Sequence, residues 1–328
     1  MKSSSIVKFY NSIRSKKCIS SFSYDGDLCN GILSYDIYSN NSNSNKNDTK
    51  FTAVFLHGIL GSKRNWRTPA QTWLQINPLY DNCITIDHRG HGKSTKGFSL
   101  PNTVAECAND LDRTLHYIET DKREKAYPNI LLAHSFGGKV ALKYLEKRWK
   151  ENKSCPKHIW VLDSMPGLYK EEPNDKQSVL QVMKLLSSLP KQYDTRETMI
   201  NLLIGLGIEK SVALWLGTNL VPVKVNESTV FQWGFNLNII TDLFHNFCNE
   251  SLWEFLDEYD KNNKTDCIIH FLRAGKNLAW TDDIMNRLNT YSNQNIRFHT
   301  MTDVGHWLHA EDLRGMFNII KTESGYKL

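Results

Sequence analysis

The stretch Asn129–Leu142, NILLAHSFGGKVAL, decides how the rest of the chain is read. Ile130, Leu131 and Leu132 form an apolar run with strand character. A turn of small residues follows with Ser135 at its tip, and Lys139-Val140-Ala141-Leu142 reads as the first turn of a helix. A serine on a sharp turn from strand to helix is the arrangement of a nucleophile elbow, in which the hydroxyl stands above the sheet and the next backbone N–H helps form an oxyanion hole. Here the first glycine of G-x-S-x-G is Ala133. Strand and helix backbones approach closely at such a turn, so small residues are needed on both sides of the serine, and alanine is the least costly departure from glycine. The structural alternative is a glycine-bearing turn whose serine only caps the helix.

Outward from the elbow, short apolar strands alternate with helical patterns. Ala53–Leu56 runs into His57-Gly58-Ile59-Leu60-Gly61-Ser62, and Cys83–Ile86 into Asp87-His88-Arg89-Gly90-His91-Gly92-Lys93-Ser94. Ile32–Tyr38 alternates like a strand and is expected to begin the sheet. Thr103 with Glu106 three residues on is a helix-starting pattern, followed by Val104, Ala108, Leu111, Leu115 and Ile118 at helical spacing. Strands are expected at Ile159–Leu162, ending in Asp163, at Cys267–Leu272, and at Arg297–Met301 before Gly305-His306-Trp307. Such alternation predicts an α/β class with a mostly parallel sheet covered on both faces, whose reactive groups gather beyond the carboxyl ends of its strands.

Between Gly167 and Asp266 the alternation stops, and helices are expected over Val179–Leu189, Glu197–Leu206, Lys210–Leu216 and Ile239–Tyr259. This predicts four segments: a basic extension over 1–24, a first core part over 25–166, a helical cap over 167–266, and a second core part over 267–328. Leu185, Met199, Leu203, Trp215, Phe231, Trp233 and Phe235 of the cap could line an acyl pocket or pack its helices together. The stretch Asn40–Asp48, NNSNSNKND, reads as a mobile hairpin insert without function.

Composition narrows the class. The 328 residues, 40% apolar and 23% charged, are those of a soluble globular protein long enough to bury a sizeable core. A net charge of +5 without a basic stripe gives no argument for nucleic acid. Seven scattered cysteines with no C-x-x-C pair favour free thiols over a disulfide framework or zinc site. Glu209 and Lys210 interrupt the longest apolar region, Met199–Val223, so no transmembrane helix is expected. The first 24 residues hold five basic residues, several serines and no acid, the composition of an organelle transit peptide and equally of a frayed basic terminus.

A serine hydroxyl needs a base within hydrogen-bond reach, and histidine has a suitable pKa. Among eleven histidines, His306 follows the last expected strand, and the chain order serine, acid, histidine is the one an elbow serine uses. His309 is its near competitor. The orienting carboxylate has two locations: Asp163, ending the strand after the elbow helix, or Asp282 or Asp283, beyond Cys267–Leu272, whose following turn Ala274-Gly275-Lys276-Asn277-Leu278 holds no acid. Oxyanion donors are expected from the amides of Phe136 and Ile59. His57 is expected to brace its loop, His134 to face the scaffold, and Arg89 and His91 to be structural.

The set LHGILGSKRNW (56–66), DHRGHGKS (87–94), AHSFGGK (133–139), WVLDSMPG (160–167), TNL (218–220) and DVGHWLHAED (303–312) resembles the α/β-hydrolase domain-containing protein 11 branch of serine hydrolases, its plant members most. The resemblance runs from about Ile32 to the end. It implies an α/β-hydrolase fold, a Ser-His-Asp triad of Ser135, His306 and Asp163, no cofactor or metal, esterase activity on small-molecule acyl esters, lipid esters or thioesters included, and mitochondrial or plastid residence. Bacterial members use the aspartate ending the strand after the elbow helix as the acid, here Asp163. Animal members have been assigned an acid in an N-L-D stretch of the cap, where this chain has Asn236-Leu237-Asn238, which supplies no carboxylate. The competing expectation is a non-catalytic relative that binds a ligand or partner in the same pocket. Oligomeric state is not legible.

Overall fold

The computed structural model describes residues 19–25, 31–40, 51–122, 126–170, 178–262, 264–291 and 294–325. The first elements are β1 (Ile19–Tyr24), β2 (Tyr35–Asn40), β3 (Phe51–Leu56), a 3₁₀ turn (Lys63–Trp66), α1 (Arg67–Ile76), β4 (Tyr80–Ile86) and α2 (Val104–Thr120). The elbow unit follows as β5 (Ile130–His134), α3 (Phe136–Lys150) and β6 (His158–Leu162). After an insertion the chain returns through β10 (Ile268–Ala274), α9 (Asp282–Asn289), β11 (Ile296–Met301), α10 (Leu308–Glu311) and α11 (Leu313–Glu323).

Eight strands form one sheet in the order β1-β2-β4-β3-β5-β6-β10-β11. The β1–β2 and β2–β4 pairs are antiparallel, and every pair from β4 to β11 is parallel. All five residues of β5 and of β6 are buried, because helices cover both faces. The period of two along a strand sends alternate side chains to opposite cores. Val54, Leu56, Leu131, Ala133, Ile159 and Val161 pack with α2, α3 and the insertion, whereas Ala53, Phe55, Ile130, Leu132 and Trp160 pack with α1 and α11. Thr103 caps α2 by accepting from the Glu106 amide at 3.1 Å.

Two regions depart from the sequence reading. Ile19–Tyr24, within the segment read as an extension, is an edge strand paired with all of β2. Four of its six residues, ISSFSY, are exposed, so an apolar alternation never arises. The insertion, expected to be helical, comprises α4 (Val179–Ser188), β7 (Gln192–Tyr193), α5 (Arg196–Gly205), α6 (Lys210–Gly217), β8 (Leu220–Val225), β9 (Ser228–Trp233), α7 (Leu237–Asn249) and α8 (Trp253–Asn262). Its three strands form a separate antiparallel sheet in the order β7-β9-β8. Pro222 and Lys224 disguise β8 as a non-strand, which an edge position tolerates. The segment read as one helix over 239–259 is two.

Lys139 sits at that break. Its side chain is fully buried on the elbow helix, and its Nζ donates to the carbonyls of Gly167 (2.7 Å), Phe247 (2.8 Å) and Glu250 (2.7 Å). It satisfies the end of α7, where carbonyls lack helical partners and a cation is favoured. Burial pushes its amine down to about 8. The segments 1–18, 41–50 and 171–177 lie outside the described residues, and with them most of the basic extension and of the asparagine-rich insert.

Candidate active site

β5 delivers Ser135 to the turn before α3 with φ 52° and ψ −118°, a conformation a non-glycine residue adopts only when its surroundings impose it. Its amide donates to the Leu162 carbonyl of β6 (2.9 Å), and its carbonyl accepts from Gly138 (2.8 Å). The glycines after it permit the close approach. A Cβ on Gly137 would lie 2.7 Å from the His57 carbonyl oxygen, and one on Gly138 would lie 2.6 Å from the Ser164 Cβ.

Asp163 sits at the equivalent end of the neighbouring strand, also left-handed (φ 48°), with its amide on the Leu272 carbonyl (2.8 Å). Its carboxylate is fully buried and accepts four hydrogen bonds. Oδ1 accepts from the Ala274 amide (2.9 Å) and the Trp280 indole (2.7 Å), and Oδ2 from Asn277 Nδ2 (2.7 Å) and His306 Nδ1 (2.6 Å). The turn after β10, which holds no acid, therefore supplies donors to this one. Asp282 and Asp283 are exposed at the start of α9. With Nδ1–H committed to a carboxylate, a neutral His306 carries its lone pair on Nε2.

The loop after β3 faces the elbow. A Cβ on Gly58 would lie 3.0 Å from His134 Nδ1 and 3.1 Å from the Ser135 Cβ. The turn closes through the Gly61 amide on the Gly58 carbonyl (3.0 Å), and Leu60 within it has φ 57°, where glycine or asparagine is usual. Such a residue stores about 1 kcal/mol of strain. Three buried histidines hold the turn. His57 Nδ1–H donates to the Gly58 carbonyl (2.8 Å) while Nε2 accepts from the His88 amide (3.1 Å). His88 Nε2–H donates to the His57 carbonyl (3.2 Å), and His91 Nε2 accepts the Leu60 amide (3.1 Å). Burial drives the His88 ring down to about 3 and His91 to about 4, and pushes His57 well below the usual histidine range, so all three act as neutral hydrogen-bonding groups. Arg89 pairs with buried Asp110 at 2.6 Å. Among the described residues the amides of Ile59 and Phe136 have no hydrogen-bond partner.

The sequence reading turns His134 into the scaffold. Its ring is buried, but Nε2–H donates to the backbone carbonyl of His306 (2.7 Å), and the two rings lie 4.6 Å apart. His309 stacks on Trp66 at 4.5 Å, with burial holding its ring at about 4.

Ser135 and His306 open into one cleft of about 640 Å³, counting the part open to solvent. The His57–Gly61 turn forms one wall, and Val179, Val182, Val212 and Trp215 of the insertion face it. Of the seven insertion residues suggested for an acyl pocket, Trp215 lines the cleft, its ring 5.7 Å from that of Trp307. Met199, Leu203 and Phe235 are buried, and Leu185, Phe231 and Trp233 pack against the same core. Asn238 stands in place of the N-L-D acid, and Asn236 caps α7 by accepting from the Asn238 and Ile239 amides. The arrangement can polarise a histidine against a carboxylate and offer two free amides beside a half-buried serine.

Comparison with known proteins gives the following likenesses. The model of the alpha/beta hydrolase family matches residues 53–316. The sn-1-specific diacylglycerol lipase ABHD11 of Danio rerio is 25% identical over 285 residues, 85% of this chain and 78% of its own length. Ethanol acetyltransferase 1 of Kluyveromyces marxianus is 32% identical over 147 residues, 44% of this chain and 35% of its own. Among solved structures, a marine microorganism esterase superposes with a TM-score of 0.66 at 22% identity, covering 89% of this chain and 98% of its own.

Proposed function

The chain belongs to the alpha/beta hydrolase family, and from that premise we propose that it is a serine ester hydrolase with Ser135 as nucleophile, His306 as general base and Asp163 as the orienting acid. The observation that carries the reading is the 2.6 Å contact from His306 Nδ1 to an Asp163 carboxylate whose other positions are already taken by donors. A carboxylate so held keeps the imidazole in the tautomer that can accept a proton at Nε2.

In this mechanism His306 Nε2 takes the Ser135 proton as Oγ attacks the acyl carbonyl. The amides of Ile59 and Phe136 receive the developing oxyanion, and each such donor contributes about 10²–10³ in rate. His306⁺ then protonates the leaving alkoxide, and water, deprotonated by the same histidine, releases the acid from the acyl-enzyme. Ester and thioester share these steps.

Residues 167–266 act as a cap over the two core parts, the first of which takes in β1 and so runs over 19–166 and the second over 267–328, and the cap's valines and Trp215 receive an apolar acyl group. Relatives named as diacylglycerol lipases support lipid esters as the substrate class. The basic, acid-free residues 1–18, ahead of β1, support residence in a mitochondrion or another organelle, which import of a fluorescent fusion tests. Among the described residues no helix is long and apolar enough to cross a membrane.

The central test is labelling with a fluorophosphonate probe and location of the adduct by mass spectrometry, alongside Ser135→Ala and Asp163→Asn. Labelling at Ser135 that vanishes in the first variant and falls sharply in the second supports the triad. A folded, monodisperse wild-type sample that takes no label refutes it.

A further inference from the structure

We propose that Asn219, contributed by the insertion, is a positioning residue for the oxyanion hole. The inference rests on the reading of the Ile59 amide as an oxyanion donor. Asn219 belongs to the Thr218-Asn219-Leu220 motif, for which the mechanism above has no use. Its Nδ2 donates to the Leu60 carbonyl at 2.7 Å, across 159 residues of sequence, and its side chain is buried. The residue is itself fixed at both main-chain groups, its amide on the Leu216 carbonyl (2.9 Å) at the end of α6 and its carbonyl on the Gly234 amide (2.8 Å) after β9.

Leu60 is the strained residue of the turn. Its amide belongs to the 59–60 peptide and is held by His91 from the core, while its carbonyl belongs to the 60–61 peptide and is held by Asn219 from the insertion. These two planes flank the φ and ψ of Leu60, so the pair of contacts pins a conformation that leucine would otherwise leave. The Gly58–Gly61 turn then has one shape, with Ile59 lining the same cleft as Ser135, and on the oxyanion reading that shape sets where the Ile59 N–H points. Release of the Asn219 contact lets the 60–61 peptide rotate and the turn relax. An insertion displaced from the core therefore leaves a nucleophile without an assembled oxyanion hole, and docking of the insertion and transition-state stabilisation share one hydrogen bond.

The test uses the full-length chain as Asn219→Asp, which keeps the shape but places an acceptor against the carbonyl, and as Asn219→Ala. Each is assayed on an activated oxoester and on its thionoester counterpart, whose sulfur fits an oxyanion hole poorly. The expected result is a fall in kcat on the oxoester of about 10- to 100-fold with KM changed by less than about threefold. The thionoester rate falls much less, so the oxo-to-thiono preference drops by about tenfold. A lowered kcat or melting temperature at an unchanged preference makes Asn219 a packing residue and overturns the proposal, as does an unchanged kcat. If the aspartate variant does not fold, the alanine variant decides, and failure of both to fold assigns Asn219 to folding and likewise overturns it. A wild-type chain that neither hydrolyses the oxoester nor takes a fluorophosphonate label brings down the esterase reading and this inference with it. An active wild type with an unaltered preference in the variants brings down this inference alone.

Discussion

Asp163 and His306 lie 143 positions apart in the sequence and 2.6 Å apart in space, joined by the shortest of the four hydrogen bonds on one buried carboxylate. Three of its partners, the Ala274 amide, the Trp280 indole and the Asn277 carboxamide nitrogen, can only donate, and the fourth, His306 Nδ1, donates in the tautomer the mechanism needs. Asp163→Asn must turn an amide N–H against at least one of them. It is expected to lower kcat by about 10³–10⁴ through the wrong histidine tautomer and stability by about 1–3 kcal/mol. Trp280→Phe, which removes one donor and leaves the histidine contact, should cost about 1 kcal/mol and much less rate. Steady-state kinetics and urea unfolding of the two variants measure this, and equal losses of rate would contradict the assignment.

Gly58 and Gly137 separate activity from stability. An added methyl at Gly58 meets side-chain atoms of the elbow at 3.0–3.1 Å, whereas one at Gly137 meets the His57 backbone oxygen at 2.7 Å. Gly58→Ala should shift the turn by tenths of an ångström and reduce kcat by about tenfold or more with little change in melting temperature. Gly137→Ala forces two backbones apart, and its melting temperature should fall first. Calorimetry beside kinetics gives the ranking, and the reverse order would refute it.

For Lys139 two magnitudes compete. The burial that lowers its amine from 10.5 to about 8 costs about 3 kcal/mol, while the Gly167 and Glu250 carbonyls left without a donor cost about 1–3 kcal/mol each, and the Phe247 carbonyl keeps only the long bond from the Glu250 amide (3.4 Å). The carbonyls win, so Lys139→Met is expected to destabilise the protein by a few kcal/mol. Amide exchange should accelerate in α7 and α8 and stay slow in β5. A variant more stable than wild type would show that the cation is a net liability.

Acid should weaken the fold through its buried histidines. His88, His91 and His309 sit at about 3, 4 and 4 because burial penalises their charged forms, against about 6.5 in the unfolded chain. Between pH 6.5 and 4 the unfolded state takes up protons that the native state refuses, so stability is full above 6.5 and falls as pH drops towards 4. For His91 the loss reaches about 3 kcal/mol at the low end. Urea midpoints from pH 7 to 4 should trace this slope. His309→Phe, which preserves the stack on Trp66 and removes a ring whose Nδ1 has no partner among the described residues, should flatten it. A flat wild-type profile would be evidence against buried neutral histidines.

The strands of the parallel sheet, the elbow and the ends carrying Ser135, Asp163 and His306 were legible because fully buried strands are short apolar runs and their polar termini interrupt them. The same reasoning passed over β1 and the β8–β9 hairpin, which are edge or half-exposed strands with too little apolar periodicity to register. Trp280 and Asn277 gave no signal as partners of Asp163, since an indole and a carboxamide in a loop have many uses. Asn219 and Lys139 were visible only as members of motifs.

The sequence by itself determined the order of the elements, the α/β class and the residue types at the sheet's reactive edge, because hydrophobic period and local sterics are short-range and are written into neighbouring residues. Tertiary structure alone decided which groups meet: that an acid-free turn donates to Asp163, that three neutral histidines hold the Gly58–Gly61 turn, and that the insertion reaches Leu60 through Asn219. Those contacts join residues far apart in the chain, and their partners are fixed by how strand ends and loops converge in space, for which no local pattern exists.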